Sequence, residues 1–298
     1  MASWDLFLIT VSALVGILLV LTHISTQVLQ EAVGSASQSG TADSQPVSRT
    51  ADSNYLPAAE TQETPVGLDD PVPPEMGDSA TEQPSHTQPP TTRPSAGGST
   101  RTDQPELSLT TRSLWANVVF TQGLFGLLLA VIAWQTGVPA AAFGLALEAL
   151  SATAVASGLA VGVALYGLSE LSVRGLGRLG TEPPTALREA LAAETPGGWA
   201  VLLLVVLPVI AVFEELLFRG AMIGALSVGF DLPVWLLVIV SSVTFGLGHS
   251  AQGRTGMVVT GLLGVGLAGV FVWSESLVVV IVAHYVINAL EFVVHERG

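Results

Sequence analysis

Three ionisable side chains, Glu214, Glu215 and Arg219, interrupt a stretch from Val201 to Leu226 that carries no other charge. In a membrane-length apolar run, each charged group near the bilayer centre costs at least about 2.5 kcal/mol on insertion scales. Such groups normally face a protein interior or a wet cavity and are paired there. On a helix, residues four apart share a face, whereas neighbours diverge by about 100°. The spacing therefore predicts a structural ion pair between Glu215 and Arg219. Glu214 points elsewhere and is left free to take a proton from water. A carboxylate held away from bulk water is the stronger base for it. Two later apolar stretches each carry a histidine: His249, with Phe245 one turn back, and His284, with Asn288 one turn on. An imidazole and an Asn amide can donate to the oxyanion that forms when water attacks a peptide carbonyl. With His249 orienting the water beside Glu214, the parts for amide hydrolysis are present without a Ser or Cys nucleophile.

These groups must be positioned by membrane helices. Half the residues are hydrophobic, mean hydropathy is +0.61, and 11% are charged, against about 25% in ordinary soluble domains. A bilayer-spanning helix needs roughly 17–25 residues. Seven stretches qualify, near 4–22, 114–135, 150–169, 199–226, 234–251, 256–272 and 276–294. Trp4, Trp115, Trp134, Trp199, Trp235 and Trp273 all fall at or beside a proposed span end, where indole prefers the interface. The expected fold is all-α: a polytopic helical membrane protein of about seven transmembrane helices, with a long disordered linker after the first.

Residues 1–30 read as an N-terminal membrane anchor, because the first apolar run lacks a basic n-region and a clean small-residue cleavage site. Residues 31–110 read as the linker. Between Glu31 and Glu106 lie twelve acidic residues, three arginines and eleven of the 17 prolines. Such a segment cannot bury enough apolar surface to offset its ordering entropy. The net charge of −14 is thus concentrated in a tether. Cysteine is absent, which excludes disulfides, thiolate nucleophiles and cysteine-bound metals. All ten basic residues are arginine, a balance suited to high salt, where surface pairs are screened. With seven spans, Arg101, Arg112, Arg174, Arg178, Arg188, Arg254 and Arg297 share one side of the membrane. The positive-inside rule makes that side cytoplasmic, placing the linker and C-terminus inside and the N-terminus outside.

Glu214-Glu215-x-x-x-Arg219, Phe245-x-x-x-His249 and His284-x-x-x-Asn288, in this order on successive apolar helices, resemble the motifs of the CPBP family. These are the CAAX-protease and bacteriocin-processing membrane proteins, which include the type II CAAX prenyl endopeptidases. The resemblance covers about 114–294, within the expected protease domain at 111–298. It implies that Glu214 activates water with His249 assisting, that His284 and Asn288 stabilise the oxyanion, and that Glu215, Arg219 and Phe245 support the site. It further implies a membrane-protein or lipidated-peptide substrate at the lipid bilayer, in a multi-pass protein of the cell membrane. Nucleic acid is not an expected partner.

Whether a metal takes part stays open at this point. Glu214, His249 and His284 could form a two-histidine, one-carboxylate zinc site with an open position for water, yet the chain lacks a His-Glu-x-x-His spacing. A glutamate-activated water without metal serves equally. A lone His in an apolar helix commonly does no more than bond a neighbouring helix; here three helices supply complementary groups. The alternative function is a non-proteolytic scaffold that binds or sequesters a membrane partner in the same cavity, favoured if Glu214→Ala kept full biological activity. A transporter ranks behind both, since no inverted repeat is visible. Gly158-x-x-x-Gly162, and Gly261, Gly264, Gly266 and Gly269, are expected to be close-packing surfaces and not phosphate loops. The motif helix must also enter late, tilt, or break near Pro208, to bring Glu214 level with His249.

Overall fold

A computed structural model of the chain describes residues 2–41, 110–146, 151–178 and 185–296. All regular elements among these are helical. They are α1 (Trp4–Thr41), α2 (Thr111–Thr136), α3 (Ala152–Gly177), α4 (Ala186–Leu191), α5 (Pro196–Phe230), α6 (Val234–Gly248), α7 (Gly253–Ser274) and α8 (Leu277–Glu296). A short 3-10 turn, Ala140–Phe143, follows α2, and another, Ser250–Gln252, joins α6 to α7. The anchor expected to end at residue 30 continues as helix to Thr41. The rest of the expected linker, through residue 109, lies outside the described residues.

Helix boundaries follow local chemistry. Thr110 caps α2 by accepting the amide of Ser113, and Gly137 ends it in the left-handed region at φ 68°. Thr195 caps α5 in the same way, with Pro196 at its first position, where a missing N–H removes nothing. Six helices are long and apolar enough to cross a bilayer: Trp4–Ile24, Thr111–Thr136, Ala152–Gly175, Pro196–Phe230, Ser250–Ser274 and Leu277–Glu296. With so many apolar side chains facing outward, this is a multi-pass membrane protein. The seventh expected span, 234–251, is a shorter helix of 15 residues that stops at Gly248.

Helix α5 does not break at Pro208. Instead it contains two wider π-helical segments, Leu202–Val206 and Leu216–Ala225. A proline ring collides with the carbonyl four residues back and supplies no amide to it. The first π segment lies where that conflict falls, so the helix accommodates the ring by widening.

The bundle has two distinguishable ends. At one, Trp4 lies over Gly229, and the amide of Ser3 donates to Thr136. At the other, Thr26 on α1 is 3.4 Å from Ser250, Trp115 donates to the Leu191 carbonyl, and Arg188 on α4 bonds Glu291 and Glu296 on α8. The starts of α2 and α5, Thr26 within α1, and the ends of α3, α6 and α8 therefore share the second end. Phe7, Val11 and Leu14 of α1 are buried in the same core cluster as Phe143, Leu217, Phe218 and Phe245. The first helix is thus built into the bundle.

Candidate active site

Helix α5 carries the acidic pair at the junction where its central α segment gives way to the second π segment. Glu215 and Arg219, both fully buried, make the predicted pair: Arg219 Nη1 donates to Glu215 Oε1 at 2.8 Å. A second Arg219 donor, Nη2, reaches the backbone carbonyl of Gly264 on α7 at 3.1 Å. Glu215 Oε1 accepts a further hydrogen bond, from His284 Nδ1 on α8 at 2.7 Å. One carboxylate oxygen thus joins a guanidinium and an imidazole, which satisfies a charge otherwise costly at this depth.

Glu214 points away from that pair, as the helical spacing requires. It is buried, yet its two oxygens face two histidines. Oε1 lies 4.0 Å from His249 Nε2, and Oε2 lies 3.6 Å from His284 Nε2. Among the described residues this Oε2 makes no hydrogen bond, nor do Glu215 Oε2 and Arg219 Nε. His249 Nδ1 contacts the carbonyl of Phe245 at 2.8 Å; a carbonyl only accepts, so Nδ1 carries the proton. His284 Nδ1 likewise faces a carboxylate oxygen, one that also accepts from Arg219. Both Nε2 atoms are thereby presented to Glu214.

The depth mismatch expected between Glu214 and His249 is removed by the register of α5 and α6: Glu214 lies 16 residues before Phe230 at the end of α5, and His249 lies 15 residues after Val234 at the start of α6. Its 15 residues rise only about 22 Å, less than a ~30 Å hydrocarbon core. His249 is its C-cap and stands inside the bundle. Two contacts lock α6 against α5 in this register. Ser241 donates to the Phe218 carbonyl at 2.8 Å, and the Phe218 and Phe245 rings meet edge-on at 5.0 Å. The Ser241 bond takes up a carbonyl in the π segment, where the regular ladder is disturbed. Phe245 is the shared wall: its ring lies 4.7 Å from His249, 6.0 Å from His284 and 4.6 Å from the Arg219 guanidinium carbon.

Of the residues singled out from the sequence, Glu214, Glu215, Arg219, Phe245, His249 and His284 converge. Asn288 follows His284 by one turn on α8, half-buried, and makes no side-chain hydrogen bond among the described residues. Ser241 and the Gly264 carbonyl were not anticipated. Ser241 at four residues before Phe245 is a faint signal; a backbone carbonyl gives none.

Glu214, His249 and His284 are a donor set suited to zinc, and their Nδ1–acceptor bonds are the outer contacts that orient imidazole ligands. The three-donor group whose ligand atoms all lie within 4.8 Å of one another is a different one, Glu170, Glu291 and His295. Arginines already serve two of its members, Arg174 on Glu170 and Arg188 on Glu291. Glu214 thus turns one oxygen to each imidazole at 4.0 and 3.6 Å, beyond direct hydrogen-bond distance.

Residues 196–290 match the family model described as type II CAAX prenyl endopeptidase Rce1-like. That span begins at α5 and contains every converging residue of the cluster. No curated protein and no solved structure matched the chain.

Proposed function

We propose that this chain, which through residues 196–290 belongs to the CPBP family of membrane proteases, is an intramembrane endopeptidase that hydrolyses a peptide bond with a glutamate-activated water. The observation that supports this most is the placing of Glu214. A buried carboxylate, unneeded for the neighbouring ion pair, has its two oxygens turned toward two Nε2 atoms held at fixed orientation.

In this reading a water enters between Glu214 and His249, donating one hydrogen to the carboxylate and the other to the bare Nε2. Its oxygen lone pairs then face the substrate. As the oxygen bonds to the scissile carbonyl carbon, its proton passes to Glu214 and the carbonyl π electrons move onto oxygen. His284 and Asn288 donate to that oxyanion; His284 does so as an imidazolium whose Nε2 proton is taken from solvent before the substrate binds and is kept through the turnover, a cation that Glu215 supports from Nδ1. The tetrahedral species collapses, the C–N bond breaks, and Glu214 returns its proton to the leaving amine. Should a divalent cation be resident, Glu214, His249 and His284 are the residues that would hold it, and it would supply Lewis-acid polarisation. The substrate is a membrane protein or lipidated peptide able to reach the bundle interior from the bilayer. The Arg-bearing end, with the linker and C-terminus, lies in the cytoplasm.

The test is cleavage of a membrane-peptide library by purified protein in lipid. Wild type should cleave, and Glu214→Ala and His249→Ala should each lose at least about a hundredfold in rate while keeping the wild-type melting temperature. Cleavage persisting unchanged in both variants would remove the mechanism.

A further inference from the structure

We infer that Gly264 on α7 is a positioning residue for the site, setting from behind both the Arg219 guanidinium and the Phe245 ring; its catalytic consequence rests on the protease reading above. Its spacing marks this glycine only for close packing, and among the described residues α7 supplies no side chain to the converging cluster. Yet its backbone meets the cluster at two points. The Gly264 carbonyl accepts from Arg219 Nη2 at 3.1 Å. A Cβ at Gly264 would lie 3.2 Å from Phe245 Cδ1, 3.4 Å from Ser242 Cα and 3.4 Å from Ser242 Cβ. The absent side chain is therefore what lets Phe245 come this close.

Phe245 has no room to yield. It is 1% exposed, with Phe218 edge-on at 5.0 Å, the Arg219 guanidinium over its face at 4.6 Å and the His249 ring at 4.7 Å. Protein interiors are close-packed and transmit a displacement instead of absorbing it. A methyl group at 264 pushes on Phe245, and Phe245 pushes on the imidazole beside Glu214. The same methyl lifts the α7 backbone from Arg219, loosening the anchor of Glu215 and hence the Nδ1 bond of His284. One small substitution on a silent helix thus reaches both histidines.

Neighbouring glycines on α7 provide controls. A Cβ at Gly269 meets nothing within 4 Å, and one at Gly261 meets only the Ser242 carbonyl at 3.8 Å and Gly246 Cα at 3.9 Å. The experiment compares Gly264→Ala, Gly261→Ala and Gly269→Ala by the ring resonances of ¹³C/¹⁵N-histidine-labelled protein in micelles, assigned with His249→Gln and His284→Gln. Gly264→Ala is expected to shift the His249 and His284 signals and to leave those of His23 in place, with both controls matching wild type. Each substitution is then repeated in a Phe245→Leu background, where the shorter side chain relieves the contact. There the added effect of Gly264→Ala on His249 should vanish. On a cleaved substrate, Gly264→Ala should lower kcat about tenfold with KM within twofold, as a few tenths of an ångström of misplacement would do. Unchanged histidine signals in Gly264→Ala, or an effect as large in the Phe245→Leu background, would overturn the inference. Shifted signals in Gly264→Ala beside a wild type that cleaves nothing would instead uphold it and count against the protease reading.

Discussion

At the scale of single residues, the site is organised by a division between two adjacent carboxylates. Glu215 is committed on one oxygen to Arg219 and His284; Glu214 is committed to neither and faces both Nε2 atoms. The Arg219–Glu215 pair has side chains wholly removed from the surface, so removing one member strands the other. Breaking a buried pair from one side costs about 3–5 kcal/mol, far more than the intact pair contributes over an apolar substitute. Arg219→Leu should therefore lower the thermal midpoint in micelles sharply, whereas Arg219→Leu combined with Glu215→Leu should recover part of the loss. Circular dichroism melts of the two variants beside wild type check this. A double variant as unstable as the single one would contradict the pairing. The pair was legible beforehand because the i, i+4 spacing is a property of one helix. The Gly264 carbonyl was not, because its place depends on how α7 packs, and every residue has a carbonyl.

Among the elements, α3 and α8 meet through the small-residue pattern, and this contact fixes the helix that bears His284. A Cβ at Gly158 would lie 2.7 Å from Val282 Cβ and 2.8 Å from the Val279 carbonyl; one at Gly162 would lie 2.7 Å from Val286 Cβ and 2.8 Å from the Ala283 carbonyl. These are backbone and β-branched neighbours, which cannot swing aside. In lipid, close packing between helices is itself a main driving force for association. Gly162→Val should cost about 1–3 kcal/mol by overpacking, and Gly167→Ala, with nothing within 4 Å, should leave the melting midpoint unmoved. Equal midpoints for Gly162→Val and wild type would show that the interface is looser than it stands here. The sequence pattern foretold this contact, since small residues four apart on an apolar helix have few other uses. It did not foretell the 15-residue length of α6 or the two π segments of α5. The polar stretch His249-Ser250-Ala251-Gln252-Gly253-Arg254 marks the early end that a span drawn to 251 passes over, whereas a π turn leaves no compositional mark. The second π segment begins directly after the acidic pair.

Across the whole molecule, the described contacts give each end of the bundle a definite membership, and the absence of cysteine makes that membership measurable. Thr26 beside Ser250, Trp115 on Leu191 and Arg188 on Glu291 and Glu296 put that stretch of α1, the start of α2, α4 and the end of α8 together. Trp4 over Gly229 and Ser3 bonded to Thr136 define the opposite end. Arg112, Arg174, Arg188 and Arg254 all belong to elements at the first end, so the charge asymmetry read from the sequence survives the shortening of α6. Short as it is, α6 still reverses the direction of the chain between α5 and α7. Single cysteines at Thr110 and His295 should accordingly react with a membrane-impermeant maleimide from one side of sealed vesicles. Cysteines at Ser3 and Asp231 should react only from the other side. The positive-inside rule assigns the first pair to the cytoplasm, so in intact cells the Ser3 and Asp231 sites should label and the other two should label only after lysis. Labelling of Thr110 and Asp231 from the same side would break the arrangement, and with it the route by which α6 carries His249 to Glu214.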